Sequence, residues 1–236
     1  MSLHGGIFDV DGVLLDTPHE QAWRETLDRL MAGPWRALAL QTTYTLGAFT
    51  SAVYQAYVAG KPREAGARAA LEYFHVPDPM GTRCHQYAEE KQRRLEALAL
   101  PGQCDAFDDA LRFLLRVQAA GVRLATASSS QNAAMFLRAI ALGDFCARYG
   151  LRYPFITAAS TLVDVVDVDV SGQAFPRGKP DPAIFLAAAA QLGYSPQQCF
   201  VIEDAPVGIQ AAKAGRMVGL GVARQHETAI LWNQVR

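Results

Sequence analysis

Cysteine is scarce in this sequence and is never usefully spaced. Cys84, Cys104, Cys146 and Cys199 are scattered, with no C-x-x-C pair and no histidine grouping at ligand spacing, which leaves neither a zinc site nor a disulfide framework to expect. Long apolar runs are missing too. Without 18 consecutive apolar residues there is no candidate membrane helix, and the N-terminus reaches Gly5-Gly6-Ile7-Phe8 without the basic and apolar regions of an export signal. No basic run stands out among 22 basic and 23 acidic residues, so the net charge of -1 comes without the electrostatic footprint of a nucleic-acid binder. These absences point to a cytoplasmic protein with neither a membrane nor a nucleic acid as partner.

What remains is a chain of 236 residues, 50% hydrophobic and 19% charged, with a mean hydropathy of +0.04, well able to bury a core. It exceeds the usual domain of roughly 100–200 residues, so one large domain or a core with an insertion is expected. Short apolar runs ending in loops recur at Ile7-Phe8-Asp9-Val10, at 123–127, at Phe200-Val201-Ile202 and at 218–221. Helical stretches lie between them at 105–119, 131–141, 181–192 and 206–214, the first ending at Gly121 and the last at Gly215. Alternation of this kind predicts an α/β fold whose parallel sheet is covered on both faces. Residues 18–99 break the rhythm, with helical spacing over 19–31, 49–58, 64–74 and 82–98 and no strand between. A core of 1–17 and 100–236 carrying a four-helix insertion at 18–99 follows. The insertion leaves after the first strand and ends near Pro101-Gly102, so it is expected to cap the crevice outside the strands' carboxyl ends.

The polar clusters share one location. Asp9 and Asp11, then Ser128, Ser129 and Ser130, then Lys179, then Glu203 and Asp204 all fall at carboxyl ends of expected strands or in the loops beyond them. Any one of them suits a turn or a cap. Jointly they suit phosphoryl transfer: a carboxylate can attack phosphorus, and a second, two residues on, can protonate the departing oxygen and later deprotonate the incoming one. Glu203 and Asp204 offer hard oxygen ligands for Mg²⁺. Lys179 offers a point cation, and Ser128 with neighbouring backbone N–H groups offers donors to phosphoryl oxygens.

Phe8-Asp9-Val10-Asp11-Gly12-Val13-Leu14-Leu15-Asp16-Thr17, then Ser128, then Lys179-Pro180-Asp181-Pro182, then Ile202-Glu203-Asp204 with Gly208-Ile209 and Ala211-Ala212 resemble, in order, the four motifs of the haloacid dehalogenase superfamily. The resemblance spans nearly the whole chain. It implies a Rossmann-like core, an aspartyl-phosphate on Asp9, Asp11 as acid and base, and Mg²⁺ held by Asp9, the Asp11 carbonyl and Asp204. The Asp-x-Asp pair resembles the phosphatase and mutase branches, since the dehalogenases proper lack the second aspartate. Within the superfamily the chain is similar to the β-phosphoglucomutase-like group. His19 four residues before Trp23, the loop Gly60-Lys61-Pro62-Arg63, Lys91, and Ser130 with Asn132 match that group's substrate-binding positions. Ala59 and Gly66 depart from it, standing where the mutases have lysine and serine, and His19 lies two residues closer to Thr17 than it does there.

Each cap residue also has a plainer reading. Arg63 and His19 open helices, Trp23 suits packing, and Lys91 sits in the run Glu89-Glu90-Lys91-Gln92-Arg93-Arg94, of a kind usual on a solvated face. The stretch from Leu162 to Gly172 alternates valine with aspartate and reads as strand material or a hairpin; the spaced aspartates lack the glycine and distal glutamate of a calcium loop. The chain stops soon after 218–221, earlier than the last core elements would suggest. The expectation is a monomeric or weakly dimeric Mg²⁺-dependent phosphatase acting on a small phosphorylated metabolite such as a sugar phosphate. A β-phosphoglucomutase and a catalytically silent binding protein of the same fold are the alternatives.

Overall fold

A computed structural model describes residues 2–98 and 105–224. The expected exit of the insertion at Pro101-Gly102, Cys104 and the stretch after Arg224 lie outside the described residues. The chain divides into two compact units, one of Met1–Asp16 with Cys104–Arg236 and the other of Thr17–Gln103.

In chain order, β1 (Gly5–Phe8) is buried at every position. A tight loop follows, in which the N–H groups of Leu14 and Leu15 both donate to the Val10 carbonyl, and it leads into β2 (Leu15–Asp16). The second unit then holds α1 (His19–Ala32), a 3-10 stretch at Arg36–Gln41, the short α2 (Ser51–Val53) running into a π turn at Tyr54–Val58, α3 (Arg63–Tyr73) and α4 (Thr82–Leu98). The first unit resumes with β3 (Asp105–Ala106), α5 (Asp108–Ala119), β4 (Arg123–Thr126), α6 (Ala133–Ala139), α7 (Leu142–Arg148) and β5 (Val168–Asp169). It continues through α8 (Ala183–Leu192), β6 (Cys199–Glu203), α9 (Pro206–Ala214) and β7 (Val218–Gly221).

The main sheet is parallel in the order β5-β4-β1-β6-β7, so β1 lies at its centre. Strands buried on both faces read as unbroken apolar runs rather than alternating ones, as β1 and β6 do. On one face Phe185, Ala188 and Leu192 of α8 pack with Ile7, Ala125 and Val201. Leu111, Leu114 and Leu115 of α5 are buried at helical spacing, and Phe113 reaches within 6.1 Å of the Phe8 ring, centroid to centroid. From β1 the chain builds outward to β4 and β5 on one side, then crosses to β6 and β7 on the other, which makes the gap between the ends of β1 and β6 a topological switch point, where ligand crevices form in such sheets.

The helical unit has a core of its own. Trp23, Leu27 and Leu30 of α1, Phe49, Phe74, and Cys84, Tyr87 and Ala88 of α4 form it. Tyr87 is fully buried because its hydroxyl finds a partner, donating to the Trp23 carbonyl at 2.8 Å, while the two rings meet edge to face. Trp23 is therefore a packing residue here. The run Glu89 to Arg94 is not solvated throughout: Lys91 falls on the same stripe as Tyr87 and Leu95 and is only 2% exposed.

Several elements differ from the sequence expectation. The first strand starts earlier and ends at Phe8, leaving Asp9 in the loop with its N–H bonded to the Ile202 carbonyl. Asp105 and Ala106 pair antiparallel with Asp16 and Leu15 instead of opening a helix. The Leu162 to Gly172 stretch is neither a hairpin nor a long strand but a 3-10 turn at Leu162–Val165 followed by the two-residue β5 on the sheet edge. Its aspartates are spent locally. Asp164 closes a capping box with Thr161, Asp167 accepts from the Leu124 N–H and pairs with Arg123, and Asp169 accepts from Thr126 Oγ1 and the Ser171 N–H.

The segment after β4 also hides α7, whose Gly143 lies against backbone: a methyl group there would overlap the Ala158 carbonyl. Backbone cannot swing aside as a side chain can, so Gly143→Ala should cost about 1–3 kcal/mol. At about 2–4 °C per kcal/mol for a chain of this size, the thermal midpoint should fall by several degrees. An unchanged midpoint would show that α7 and the 157–160 loop are not in such close contact.

Candidate active site

Asp9 follows β1 directly and is 5% exposed. Its Oδ1 accepts a hydrogen bond from Lys179 Nζ at 2.5 Å, and the same ammonium donates to Glu203 Oε1 at 2.5 Å. The side chains of Lys179 and Glu203 are wholly buried. Glu203 Oε2 accepts from the Ala205 N–H at 2.8 Å, so both its oxygens are engaged. Lys179 also lies over the Phe185 ring, 4.9 Å from its centroid. The ammonium is thus fixed from three elements: the loop after β1, the end of β6 and the face of α8.

Asp204 completes the group. Oxygens of Asp9, Glu203 and Asp204 lie within 4.8 Å of one another, close enough to share one metal ion. Glycines make this approach possible. Gly12 has φ +84, and any side chain there would overlap the Asp204 carboxylate; a methyl at Gly208 would overlap that of Glu203.

Three carboxylates face one ammonium. The Asp9 carboxyl is raised from 3.8 to about 7: burial pushes it up most, the Lys179 ammonium opposes that, and Glu203 and Asp11 add to the rise. Asp204 is held well above the usual carboxylate range by burial and by the charges of Glu203 and Asp9. Burial opposes the charge on Lys179, but Asp9 and Glu203 outweigh it and raise its pKa, so it stays an ammonium. An all-oxygen donor set carrying excess negative charge suits a hard divalent cation.

A second chain of contacts runs beside the first. Ser128 Oγ donates to Asp11 Oδ2 at 3.0 Å and accepts from the Ser130 N–H at 3.0 Å. Ser130 Oγ in turn accepts from the Asn132 N–H at 3.2 Å. The Asp11 carboxylate therefore belongs with the serine loop rather than with the three-carboxylate group. Ser129, half-buried, lies between Ser128 and Ser130 in that loop. Sequence reasoning missed Ser171, whose hydroxyl accepts from the Ser128 N–H at 3.1 Å, while the Gly172 N–H donates to the Ser128 carbonyl. The Ser171-Gly172 turn after the last of the alternating valines was the available signal; a strand edge there must lie beside the second loop.

The remaining candidates belong to the helical unit. His19 Nδ1 and Lys91 Nζ meet at 2.7 Å, with Lys91 also 4.9 Å from the Trp23 ring centroid. Arg63 stands at the start of α3 and pairs with Glu89 at 3.6 Å.

An unfolded chain ionises an ordinary aspartate above 3.8, whereas the folded, metal-free protein keeps Asp9 protonated up to about 7. Between those values the folded state binds the extra proton, so stability falls as pH rises. In EDTA, the thermal midpoint of the wild type should drop relative to Asp9→Asn across that window, and excess Mg²⁺ should reverse the drop. Parallel curves for the two proteins would contradict the raised pKa.

The chain as a whole is similar to known proteins. Residues 7–216 match the haloacid dehalogenase-like hydrolase family. A β-phosphoglucomutase of Mycobacterium bovis is 32% identical over 94% of this chain and 82% of its own length. A fructose-1-phosphate phosphatase of Escherichia coli is 29% identical over 92% and 95%. Among solved structures, an archaeal β-phosphoglucomutase from a hyperthermophilic Pyrococcus superposes with a TM-score of 0.63 at 28% identity, over 94% of this chain and 87% of that one. With the motifs in order, the sheet they require and relatives along nearly its whole length, the chain belongs to the haloacid dehalogenase-like hydrolase family and is an enzyme of its phosphatase and phosphomutase kind.

Proposed function

We propose that the protein catalyses Mg²⁺-dependent phosphoryl transfer through an aspartyl-phosphate on Asp9, acting on a small phosphorylated metabolite, in particular a sugar phosphate. The observation that carries this reading is the Asp9 carboxylate itself. It is buried at the sheet's switch point, gripped at one oxygen by Lys179 and grouped with Glu203 and Asp204. Asp9, Asp204 and the Asp11 carbonyl would hold the metal, which when bound supplies positive charge to the transferring phosphoryl group. Glu203, with both oxygens engaged, keeps Lys179 pointed at Asp9.

The Asp9 carboxylate forms a bond to phosphorus as the bond to the departing oxygen breaks, and Asp11 gives that oxygen its proton. In the second half Asp11 takes a proton from the incoming oxygen, which attacks phosphorus and frees Asp9. Ser128 holds Asp11 for this exchange, and Lys179 supplies positive charge to the phosphoryl oxygens, while the N–H groups of Ser128 and Ser130 are spent on Ser171 Oγ and Ser128 Oγ and fix the loop instead. Asn132 closes that loop through Ser130. His19, Arg63 and Lys91 are assigned to recognising the part of the metabolite that is not transferred. Conversion of β-glucose 1-phosphate to glucose 6-phosphate is the second reading, favoured by relatives that bear the name β-phosphoglucomutase.

Asp9→Asn should abolish Mg²⁺-dependent turnover of an aryl phosphate, since the amide is no nucleophile toward phosphorus. Retained turnover would rule out the aspartyl-phosphate. Incubation of the wild type with β-glucose 1-phosphate and a trace of the 1,6-bisphosphate then separates the two readings. Release of inorganic phosphate identifies a hydrolase, and isomerisation without release identifies a mutase.

A further inference from the structure

Arg224 lies beyond β7 and outside every motif, yet it contacts the loop that carries both proposed catalytic aspartates. Its Nε donates to the Gly12 carbonyl at 3.1 Å and its Nη2 to the Val13 carbonyl at 2.6 Å. Its Nη1 reaches both oxygens of Asp109 at 2.8 Å each, and its guanidinium stacks 3.8 Å from the centroid of the Phe107 ring.

The loop's own bonds fix its shape more than its place. Gly12 N–H to Leu15 O, and Leu14 and Leu15 N–H to Val10 O, are internal. Its backbone is anchored to the rest of the core at one end by the Asp9 N–H on the Ile202 carbonyl and at the other by the Phe107 N–H on the Leu14 carbonyl. Between those ends, Arg224 grips the carbonyls of the two residues that follow Asp11. One of them belongs to Gly12, whose α-carbon lies against the Asp204 carboxylate. A displacement there shifts Asp11 and the seat of Asp204 together.

We propose that Arg224 is a positioning residue for this reaction, clamping the Asp9 to Leu15 loop so that Asp11 and Asp204 hold their places. The proposal rests on the aspartyl-phosphate reading. Arginine is required because its planar fork serves two carbonyls and a carboxylate at once while its face stacks on an aromatic ring; lysine, a point cation, cannot. The Phe107 ring lies under the guanidinium, and Asp109 pairs with Nη1, away from the two carbonyl bonds made by Nε and Nη2.

The test compares Arg224→Ala, Arg224→Lys and Asp109→Asn with the wild type. Turnover of an aryl phosphate, the Mg²⁺ half-saturation, Mg²⁺ binding by calorimetry and the thermal midpoint are measured for each. Loss of the clamp should lower kcat on the order of 10- to 100-fold with little change in KM, as a small misplacement of reacting groups does. It should also weaken Mg²⁺ binding roughly ten-fold, as removal of an outer partner of a metal ligand does. Arg224→Lys should resemble Arg224→Ala in these readouts while retaining the fold. Asp109→Asn keeps both carbonyl bonds and should stay near wild type. A lowered midpoint with unchanged kcat and unchanged Mg²⁺ affinity would make Arg224 a mere structural tie and overturn the proposal. So would Asp109→Asn losing as much as Arg224→Ala, since the ion pair with α5 would then be what matters. The calorimetric arm reads the clamp without turnover. An inactive wild type, or an active Asp9→Asn, would therefore count against the aspartyl-phosphate, while metal binding alone would still decide the role of Arg224.

Discussion

The ammonium of Lys179 buried between Asp9 and Glu203 is the constraint around which the first unit is arranged. Burying charge is costly, and a buried ion pair is a poor way to gain stability. The fold meets part of that cost by giving Asp9 Oδ1 and both Glu203 oxygens a hydrogen-bond partner. Glu203 is tied at both ends, to Lys179 and to the Ala205 N–H at the start of α9. Gly208, one turn into that helix, gives up its side chain so that the Glu203 carboxylate can lie against it. The arrangement sacrifices packing and solvation for the placement of one lysine, which makes sense for a site and poor sense for a scaffold.

The parallel sheet supplies the geometry at little further expense. β4, β1 and β6 are neighbours, so three loops that are far apart in sequence open side by side. Edge strand β5 adds a fourth contribution, because Ser171 and Gly172 just beyond it bond the backbone of Ser128 from behind. The serine loop is therefore held by backbone contacts on one side and by Asp11 on the other. The N–H groups of Ser128 and Ser130 are spent on Ser171 Oγ and Ser128 Oγ, and those bonds set the shape of the loop.

The parts of this arrangement that were legible in sequence are those in which one strand and the following turn carry the signal. Asp9, Asp11, Ser128, Lys179, Glu203 and Asp204 could be read because each comes with its local setting, and the structure brings Asp9, Lys179, Glu203 and Asp204 together as a cluster, with Asp11 beside Ser128. Long-range hydrogen bonds left no such trace. The alternating valines and aspartates of 162–172 suggested strand, but Asp164 is taken by a cap and Asp167 by Arg123 and the Leu124 N–H, which a period-two pattern cannot reveal. Lys91 was hidden the other way. Its neighbours in the charged run face outward, and only the stripe through Tyr87 and Leu95 shows that this lysine turns in. Arg224 carried no local signal, since its partners lie more than 100 residues away.

Charge arithmetic ties the site's ionisation to the chemistry proposed for it. Three carboxylates against one ammonium leave an excess of negative charge in a place poor in water, and the pKa values of Asp9 and Asp204 are raised first by burial and further by their acidic neighbours. A phosphate approaching such a site meets charge of its own sign. A proton on Asp9 would relieve the repulsion but would also remove the nucleophile, so protonation cannot serve a reaction that begins with attack by that carboxylate. A divalent cation relieves the same repulsion and leaves the nucleophile ionised. On the proposed reading, proton and metal compete for the carboxylate that burial and its acidic neighbours make a weak acid, and phosphate binding is conditional on the metal.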